Sequence, residues 1–259
     1  DINESGISWT WSPNKKSFIP PLTAIKGLGK NAVKEIFANR PYESIDQMLF
    51  NEEGKWYHSK LNKTGFSALC KVEALHSLKE MWDGTIKNHK QLHDIIIENY
   101  NLLKKSRWGM TLRQAKKKEA PDFFLQLIDD TMNTEDWNRL EKLQMYQELC
   151  SATRDDLAFP EEMLAKIRAS GVKSVLQFDP GEKGIGWFCV IEWIKKLTKN
   201  KKTFYRIKIT DNENNTGWLR MWGNKPSSMT PYSIWLTKAH NDPNWGASTS
   251  VAKVRPLIV

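Results

Sequence analysis

The stretch that decides the fold is Phe18-Ile19-Pro20-Pro21-Leu22-Thr23-Ala24-Ile25-Lys26-Gly27-Leu28-Gly29-Lys30-Asn31-Ala32-Val33. Its apolar pattern predicts a short helix, a tight Gly-Leu-Gly turn and a second helix. The two glycines relieve the turn of Cβ clashes and let its backbone approach another surface closely. The amides of Leu28 to Asn31 are then expected to open the second helix and point outward, where they form a site for an anion.

Lys26 and Lys30 flank this turn with positive charge. Amides and lysines together make a phosphate clamp that needs no base contact, so it holds DNA without reading its sequence. Ile25 before the turn, and an apolar face that continues through Val33 and Ile36, complete the helix-hairpin-helix signature. The predicted DNA contacts are Lys26, Gly27, Leu28, Gly29, Lys30 and Asn31. A tight corner between two helices without a ligand is the alternative.

A second helical pair is predicted over residues 59–63 and 66–78, in which apolar residues recur near helical spacing. Its turn at Lys71-Val72-Glu73-Ala74 contains no glycine, so this second hairpin is interpreted as degenerate. Lys60, Lys63 and Lys71 are its weaker candidates for DNA contacts. Residues 1–80 are therefore predicted to form a helical tandem helix-hairpin-helix DNA-binding domain.

Residues 81–185 are predicted to form a helical connector, and from residue 186 onward the pattern changes to strands. Five strands separated by turn residues are predicted: 187–197, 203–210, 217–222, 232–239 and 252–258. Five short strands with basic turns suit a small OB-type β-barrel over residues 186–259. The predicted fold class is therefore α+β, with the helical parts first and the barrel last.

Positive charge is concentrated in the predicted barrel. The whole chain has a formal net charge of +9, and residues 187–259 contain twelve Lys and Arg against four Asp and Glu. Strand alternation places aromatic and cationic side chains on one face, which suits single-stranded DNA because bases stack on aromatics and phosphates attract cations. The candidates there, together with the first loop, are Lys199, Lys201, Lys202, Phe204, Arg206, Lys208, Trp218, Arg220 and Trp222. Packing of the tryptophans against helices is the alternative.

Signals for catalysis are not found in the sequence. It shows no Walker loop, no Asp-x-Asp pair on a strand and no Ser/His/Asp order, and it predicts neither a metal site nor a cofactor in this chain. No apolar run approaches a membrane span, and no signal peptide is recognised. Three widely spaced cysteines indicate reduced thiols in a cytosolic protein. The chain is therefore expected to be a cytoplasmic binding protein without membrane contact.

In this order, the pieces resemble the C-terminal portion of the family C replicative DNA polymerases, the bacterial DNA polymerase III alpha subunits. The similar segments are Asp1–Ser5 as the lead-in, Ile19–Gly29 with Ala32-Val33 as the first hairpin, Lys60–Lys63, Ala68–Lys71 and Ala74–Leu78 as the second, Trp137 with Glu141–Leu143 before the barrel, and Asp211 with Thr216-Gly217 within it. The family usually has a glycine where this chain has Glu73, which puts the DNA contact of that turn in question.

The resemblance implies a non-catalytic part of a DNA-directed DNA polymerase in a bacterial or phage-infected cell. The tandem hairpins would hold the duplex, and the barrel would lie near the single-stranded template. The catalytic palm, a nucleotidyltransferase that uses Mg²⁺, would lie upstream or on another chain. A sliding clamp is a further implied partner, and the nearest segment to its usual motif is Gln126-Leu127-Ile128-Asp129-Asp130.

Other classes of protein use the same parts. A free-standing DNA-binding protein of repair or recombination also combines hairpins with barrels, and it is the main alternative. A nuclease or ligase fragment is disfavoured because no catalytic lysine motif or acidic constellation is recognised. An assembly module whose basic face docks an acidic protein is distinguished by whether the chain binds DNA in a salt-dependent manner.

Overall fold

The computed structural model describes residues 1–12, 17–81, 86–152, 154–213 and 215–258. Contacts divide the chain into two compact units, Asp1–Thr153 and Arg154–Val259. Helices dominate the first unit and a six-stranded sheet follows in the second, so the fold class is α+β. The borders predicted after residues 80 and 185 differ from this division: residue 80 is followed by more of the same core, and residue 185 lies within a strand.

In its described residues, unit 1 is mainly helical and contains an antiparallel pair of short strands near its start. Its elements are β1 (Thr10–Ser12), β2 (Ser17–Ile19), a 3₁₀ turn (Leu22–Ala24), α1 (Lys30–Asn39), α2 (Ile45–Leu49), α3 (Lys63–Lys71), a second 3₁₀ segment (His76–Met81), α4 (His89–Leu103), α5 (Leu112–Lys118), α6 (Phe123–Asp130) and α7 (Arg139–Cys150). One apolar core runs from Ile2 to Ile128 and joins α1, α3, α4 and α6. The first part of the predicted connector therefore packs into the hairpin domain.

The first helix of the predicted hairpin is a single 3₁₀ turn, Leu22–Ala24, and residues 17–19 form β2 instead. Pro20 and Pro21 precede this turn and lack the N–H groups that strand or helix pairing requires. The second helix, α1, is formed and begins at Lys30, directly after the turn. The predicted helix over residues 59–63 is not formed, because α3 begins only at Lys63.

Unit 2 begins with helices and ends in the sheet. Its elements are α8 (Asp155–Ala158), α9 (Glu161–Ser170), a 3₁₀ turn (Val175–Gln177), β3 (Lys183–Leu197), β4 (Thr203–Thr210), β5 (Thr216–Trp222), β6 (Ile234–Asp242), β7 (Gly246–Ser250), a 3₁₀ turn (Val251–Lys253) and β8 (Val254–Ile258). The sequence predicts five strands, and β4 has the predicted bounds. The strand it misses is β7, whose residues Gly-Ala-Ser-Thr-Ser carry little strand propensity.

The strands of unit 2 pair in a ring. The order is β3-β4-β5-β7-β6-β8, and β3 pairs with β6 as well as with β4. All neighbours are antiparallel except β5 and β7, which run parallel. Inside the ring lie the fully buried side chains of Ile207, Ile209, Leu219 and Met221, as strand alternation predicts. Their alternates on β4 and β5 face outward and form the surface of interest.

Candidate nucleic-acid interface

The first hairpin turn is fixed by its own backbone and by α7. Gly27 has φ +89°, a conformation that side chains with a Cβ rarely adopt, and an added Cβ would lie 3.2 Å from Cγ2 of Thr64. The Lys26 N–H donates to the Leu149 carbonyl at 2.8 Å, and the Leu28 N–H donates to the Ile25 carbonyl at 3.2 Å. The Leu28 side chain is buried in the core, so it anchors the turn.

The start of α1 presents amides to the surface. Gly29 is the N-cap residue and no side chain caps it, so the amides of Lys30, Asn31 and Ala32 have no partner within the helix. The Leu28 amide already donates inside the turn, so it is not available to an anion as the sequence prediction requires, whereas the Ala32 amide lies just beyond the predicted range. Positive partial charge at this end of the helix dipole favours an anion.

The space next to the Gly29 backbone is open to solvent. Its φ is an ordinary −68°, and a Cβ added there would meet nothing within 4 Å. The fold therefore requires glycine at Gly27 but not at Gly29. Lys26, Lys30 and Asn31 are exposed around it. The structure thus brings Lys26, Gly27, Gly29, Lys30 and Asn31 together at one exposed turn, whereas the predicted contact Leu28 is buried.

The lysines assigned to the second hairpin are separated by the length of α3. Lys63 opens the helix and Lys71 ends it, about 12 Å apart at 1.5 Å per residue. Because Thr64 lies against Gly27, the Lys63 end of α3 adjoins the first turn. Lys60 is exposed in the loop just before α3. DNA contacts by these lysines stay a prediction, with Lys60 and Lys63 placed beside the first hairpin rather than at a second one.

The loop that carries Lys60 is held by Glu35 of α1. The Glu35 carboxylate accepts hydrogen bonds from the amides of Ser59, Lys60 and Leu61 at 2.8, 2.9 and 3.1 Å, and from the Ser59 hydroxyl at 2.9 Å. Burial alone would raise the pKa of Glu35, but these donors outweigh it and lower the pKa to about 2. Glu35 therefore stays ionised and fixes α1 to the approach of α3.

The second turn is filled by groups of the protein itself. Glu73 has φ +54°, and its carboxylate lies 2.8 Å from the Lys142 ammonium, which also contacts Asp136 at 2.6 Å. The Asp1 carboxylate accepts from the Ser77 N–H at 3.1 Å and from the Ser77 hydroxyl at 2.9 Å. Carboxylates thus occupy the place at this turn that a phosphate would need.

The outward faces of β4 and β5 in unit 2 form a surface of aromatic rings and guanidinium groups. The register pairs Phe204 with Trp222, Arg206 with Arg220 and Lys208 with Trp218. Cross-strand partners share a face, so these side chains line one surface. We call five of them the platform: Phe204, Arg206, Trp218, Arg220 and Trp222.

Cations stack on rings throughout the platform. Cζ of Arg206 lies 4.5 Å from the centre of the Trp218 ring, and Cζ of Arg220 lies 5.6 Å from the centres of both Phe204 and Trp245. The Phe204 and Trp222 rings are 5.2 Å apart. Aromatic stacking holds the guanidinium planes in place while it leaves their N–H groups available to an anion.

The charge of the platform is not balanced from within. Arg206 and Arg220 face each other across the strands, an arrangement of like charges that disfavours the free sheet. Among the described residues, no carboxylate lies within ion-pair distance of either guanidinium. Lys208 differs, because Glu192 lies 3.8 Å from its ammonium. The two arginines are therefore better placed than Lys208 to bind a phosphate.

Lys199, Lys201 and Lys202 lie in the turn that joins β3 to β4 and are all exposed. Hydrogen bonds shape this turn: the Thr198 N–H donates to the Lys202 carbonyl at 2.9 Å, and the Thr198 hydroxyl accepts from the Lys202 N–H at 3.0 Å. The strand pair that it closes continues directly into Lys196 and Phe204. The lysine turn is thus placed at one end of the platform strands.

Sequence reasoning missed two contributors to this surface. Trp245 lies in the β6–β7 turn, is 69% exposed, and lines a cleft of about 270 Å³ with Lys196 and platform residues. Its amide donates to the Asp242 carboxylate at 3.0 Å, which fixes the turn. The signal was a lone tryptophan inside a polar Asp-Pro-Asn-Trp-Gly turn, where core packing does not explain it. Lys196 was hidden within a charged stretch of β3.

The segment proposed for a sliding clamp, Gln126–Asp130, lies within α6. Ile128 is buried in the core of unit 1, and Leu127 packs against it. A partner that reads this segment as an extended peptide would have to remove α6 from the core. Clamp binding therefore stays a prediction that this helix does not favour.

Three hydrogen-bonded side chains have the residue types of a hydrolytic triad, although the sequence shows no recognisable Ser/His/Asp motif. The Ser67 hydroxyl lies 3.0 Å from Nε2 of His93, and Nδ1 of His93 lies 2.9 Å from the Asp94 carboxylate. Ser67 is the fifth residue of α3, so its own amide donates within the helix and is not available to an oxyanion. These hydrogen bonds instead link α3 to α4.

Residues 1–82 match a protein-family model described as a helix-hairpin-helix motif. No curated protein matches the chain. None of the helices in the described ranges combines the length and hydrophobicity that a membrane span requires. Within those ranges, no three His, Cys, Asp or Glu side chains gather as ligands for a metal ion. The motif points to DNA binding by the first part of unit 1.

Proposed function

We propose that this chain is a non-catalytic DNA-binding region of a replicative DNA polymerase, which holds duplex through the first hairpin and single-stranded template through the platform. The observation that carries the proposal is that one chain combines a motif-matched hairpin, with an uncapped helix start, and an arginine–aromatic surface whose two arginines have no acidic partner among the described residues. The first suits a duplex backbone and the second suits unpaired bases.

At the hairpin, a phosphate would accept hydrogen bonds from the amides at the start of α1, with Lys26 and Lys30 on either side. Because Gly29 has no Cβ, the phosphate can approach the backbone closely. The Lys60 and Lys63 ammonium groups would extend the basic surface toward the next phosphates. These contacts carry no sequence information, as a protein that moves along DNA requires.

At the platform, bases would stack on Phe204, Trp222 and Trp245 while Arg206 and Arg220 bind the intervening phosphates. Each stacked base contributes about 1–3 kcal/mol in proteins of this kind. We further propose that the ring of strand pairings is an OB-type barrel, since such barrels bind single strands on the face formed here by β4 and β5. The lysine turn would guide the strand onto this face.

The polymerase assignment rests on the sequence resemblance. The catalytic part, with its aspartates and Mg²⁺, would be the main partner of this chain in the bacterial or phage-infected cytoplasm, and a sliding clamp would be a further one. A free-standing DNA-binding protein of repair or recombination would use the same two surfaces. A neighbouring coding sequence with paired aspartates on predicted strands would favour the polymerase region over the free-standing protein.

The proposal is tested with the full chain and a fluorescent primer–template that has a single-stranded overhang, over a salt series, with duplex-only and single-strand controls. Tightest binding to the junction is expected because both surfaces engage together. Replacing Lys199, Lys201 and Lys202 by Ala should reduce the salt slope for the single strand by about 0.7 per lost phosphate contact. Lys238→Ala, an exposed lysine of β6, is the matched control. Negligible binding to all three DNAs would refute the proposal.

A further inference from the structure

Three large apolar side chains are exposed within five residues near the start of the chain. Ile7 is 67% exposed, Trp9 61% and Trp11 50%. We call these three residues the apolar edge. Single exposed apolar residues are ordinary on protein surfaces, but a cluster with two tryptophans marks a surface that binds something.

The backbone gives the apolar edge a defined spacing. Trp11 lies in β1, opposite Phe18 of β2, and Trp9 directly precedes this strand. Residues two apart on an extended chain lie on the same side, about 7 Å from each other. Neighbouring aromatic side chains of this kind are the groups on which unpaired bases stack in single-strand binding proteins.

Hydrogen bonds attach the apolar edge to the first hairpin. The Thr23 hydroxyl donates to the Ile7 carbonyl at 3.1 Å, and the Leu22 N–H donates to the Gly6 carbonyl at 3.3 Å. Thr23 belongs to the 3₁₀ turn of the hairpin and is separated from Lys26 by at most about 11 Å of chain. The Ile7 end of the apolar edge is therefore tied to the turn that leads into Lys26.

We propose that the apolar edge binds unpaired bases at the end of the duplex that the first hairpin holds. This inference rests on the proposed function, because it takes the hairpin as the duplex site. Inside a duplex the base faces are covered by their neighbours, so the indole rings find a base face only where pairing ends. Aromatic stacking tolerates any base, which matches the sequence-independent phosphate contacts of the hairpin.

The experiment compares a fully paired duplex with a duplex of equal length that has two mismatched pairs at one end. The full chain, its Trp9→Ala/Trp11→Ala variant and its Trp9→Phe/Trp11→Phe variant are titrated with both. The alanine variant should bind the frayed duplex about tenfold more weakly and the paired duplex within about twofold of the wild type. The phenylalanine variant keeps ring stacking and should recover most of the loss.

Two further arms make the result specific. Leu125→Ala, which removes an equally exposed apolar side chain on α6, should leave both affinities unchanged. The loss should persist when Arg206→Ala and Arg220→Ala disable the platform. 2-Aminopurine at the frayed end should be quenched on binding of the wild type and not of the alanine variant.

Equal losses on both duplexes, or no loss on the frayed one, would overturn this inference while leaving duplex binding by the hairpin in place. Sedimentation could also overturn the inference. A dimeric wild type and a monomeric alanine variant would show that the apolar edge joins two copies of the chain. If the wild type bound neither duplex, the proposed function itself would fail.

Discussion

The two turns of unit 1 share a backbone pattern and differ in what occupies them. Each has a residue at positive φ, Gly27 at +89° in the first and Glu73 at +54° in the second. The first leads to an uncapped helix with exposed glycine, whereas the second leads to a 3₁₀ segment whose Ser77 N–H already donates to the Asp1 carboxylate. The backbone of such a turn therefore supplies the geometry, and the groups around its amides decide whether an external anion can bind.

The largest change in duplex affinity is expected when the first turn is given a carboxylate, the group that occupies the second turn. Gly29→Asp places a carboxylate at the N-cap, where it accepts from the amides at the start of α1 and repels phosphate. Duplex affinity should fall about 100-fold, while thermal stability is unchanged or slightly higher because Asp is a better cap than Gly. Fluorescence titration and thermal unfolding of the same sample measure both.

Gly29→Asn is the matched control for that experiment. It supplies a similar cap without the charge, so its effect on duplex binding should be smaller than that of Gly29→Asp. Since a Cβ at this position meets nothing within 4 Å, neither change disturbs packing. Undiminished duplex binding by Gly29→Asp would show that the start of α1 holds no phosphate.

The second prediction concerns the link between the two turns. Glu35→Gln weakens four hydrogen bonds that join α1 to the loop before α3, and it should lower the free energy of unfolding by about 1.5–3 kcal/mol at pH 7. The folded pKa of about 2 lies below the ordinary 4.5, so the stabilisation is complete above pH 4.5 and is lost as the pH falls toward 2.

Urea unfolding of the wild type and of Glu35→Gln at pH 7 and pH 3 measures this effect. The difference between the two proteins should shrink at pH 3, because the wild type loses the contribution of its carboxylate. Glu43→Gln, an exposed residue in the loop after α1, is the control. A difference that stays the same at both pH values would show that the charge of Glu35 does not stabilise the fold.

The first hairpin could be predicted from the sequence because its information is local. Glycines at Gly27 and Gly29 and flanking lysines identify the turn, and alternation on β4 identifies Ile207 and Ile209 as core. What fills the second turn could not be predicted, because Asp1 lies 76 residues from Ser77 in the sequence. The sequence predicted a helix where Leu22–Ala24 forms a single 3₁₀ turn, because an apolar pattern does not distinguish one turn from a helix.

The platform shows the same limit. Phe204, Arg206, Trp218 and Arg220 follow from strand alternation, which depends only on neighbouring residues. Trp245 joins them because β7 pairs with both β5 and β6, and β7 itself has too weak a strand pattern to be recognised. Sequence therefore predicted the residues within each strand, and it missed those that the closure of the ring brings beside them.

The third prediction tests the charge of the first turn alone. Lys26→Ala together with Lys30→Ala should reduce the slope of log affinity against log salt for duplex by about 1.8, since each lost phosphate contact contributes about 0.9. Lys71→Ala at the second turn should leave the slope nearly unchanged, because Glu73 and Asp1 already place negative charge there. Equal changes for both variants would mean that the two turns are equally used.

The smallest effect is expected from restoring glycine to the second turn. Glu73→Gly removes about 1–2 kcal/mol of strain, because glycine adopts the left-handed conformation of this residue without a Cβ clash. The same change also removes the ion pair with Lys142, which opposes that gain. The free energy of unfolding should therefore change by less than about 1 kcal/mol. Duplex affinity should stay within about twofold, because the Asp1 carboxylate still accepts from Ser77. A clear gain in duplex affinity would show that Glu73 alone closes this turn. The same titration would then place the second hairpin beside the first as a DNA site.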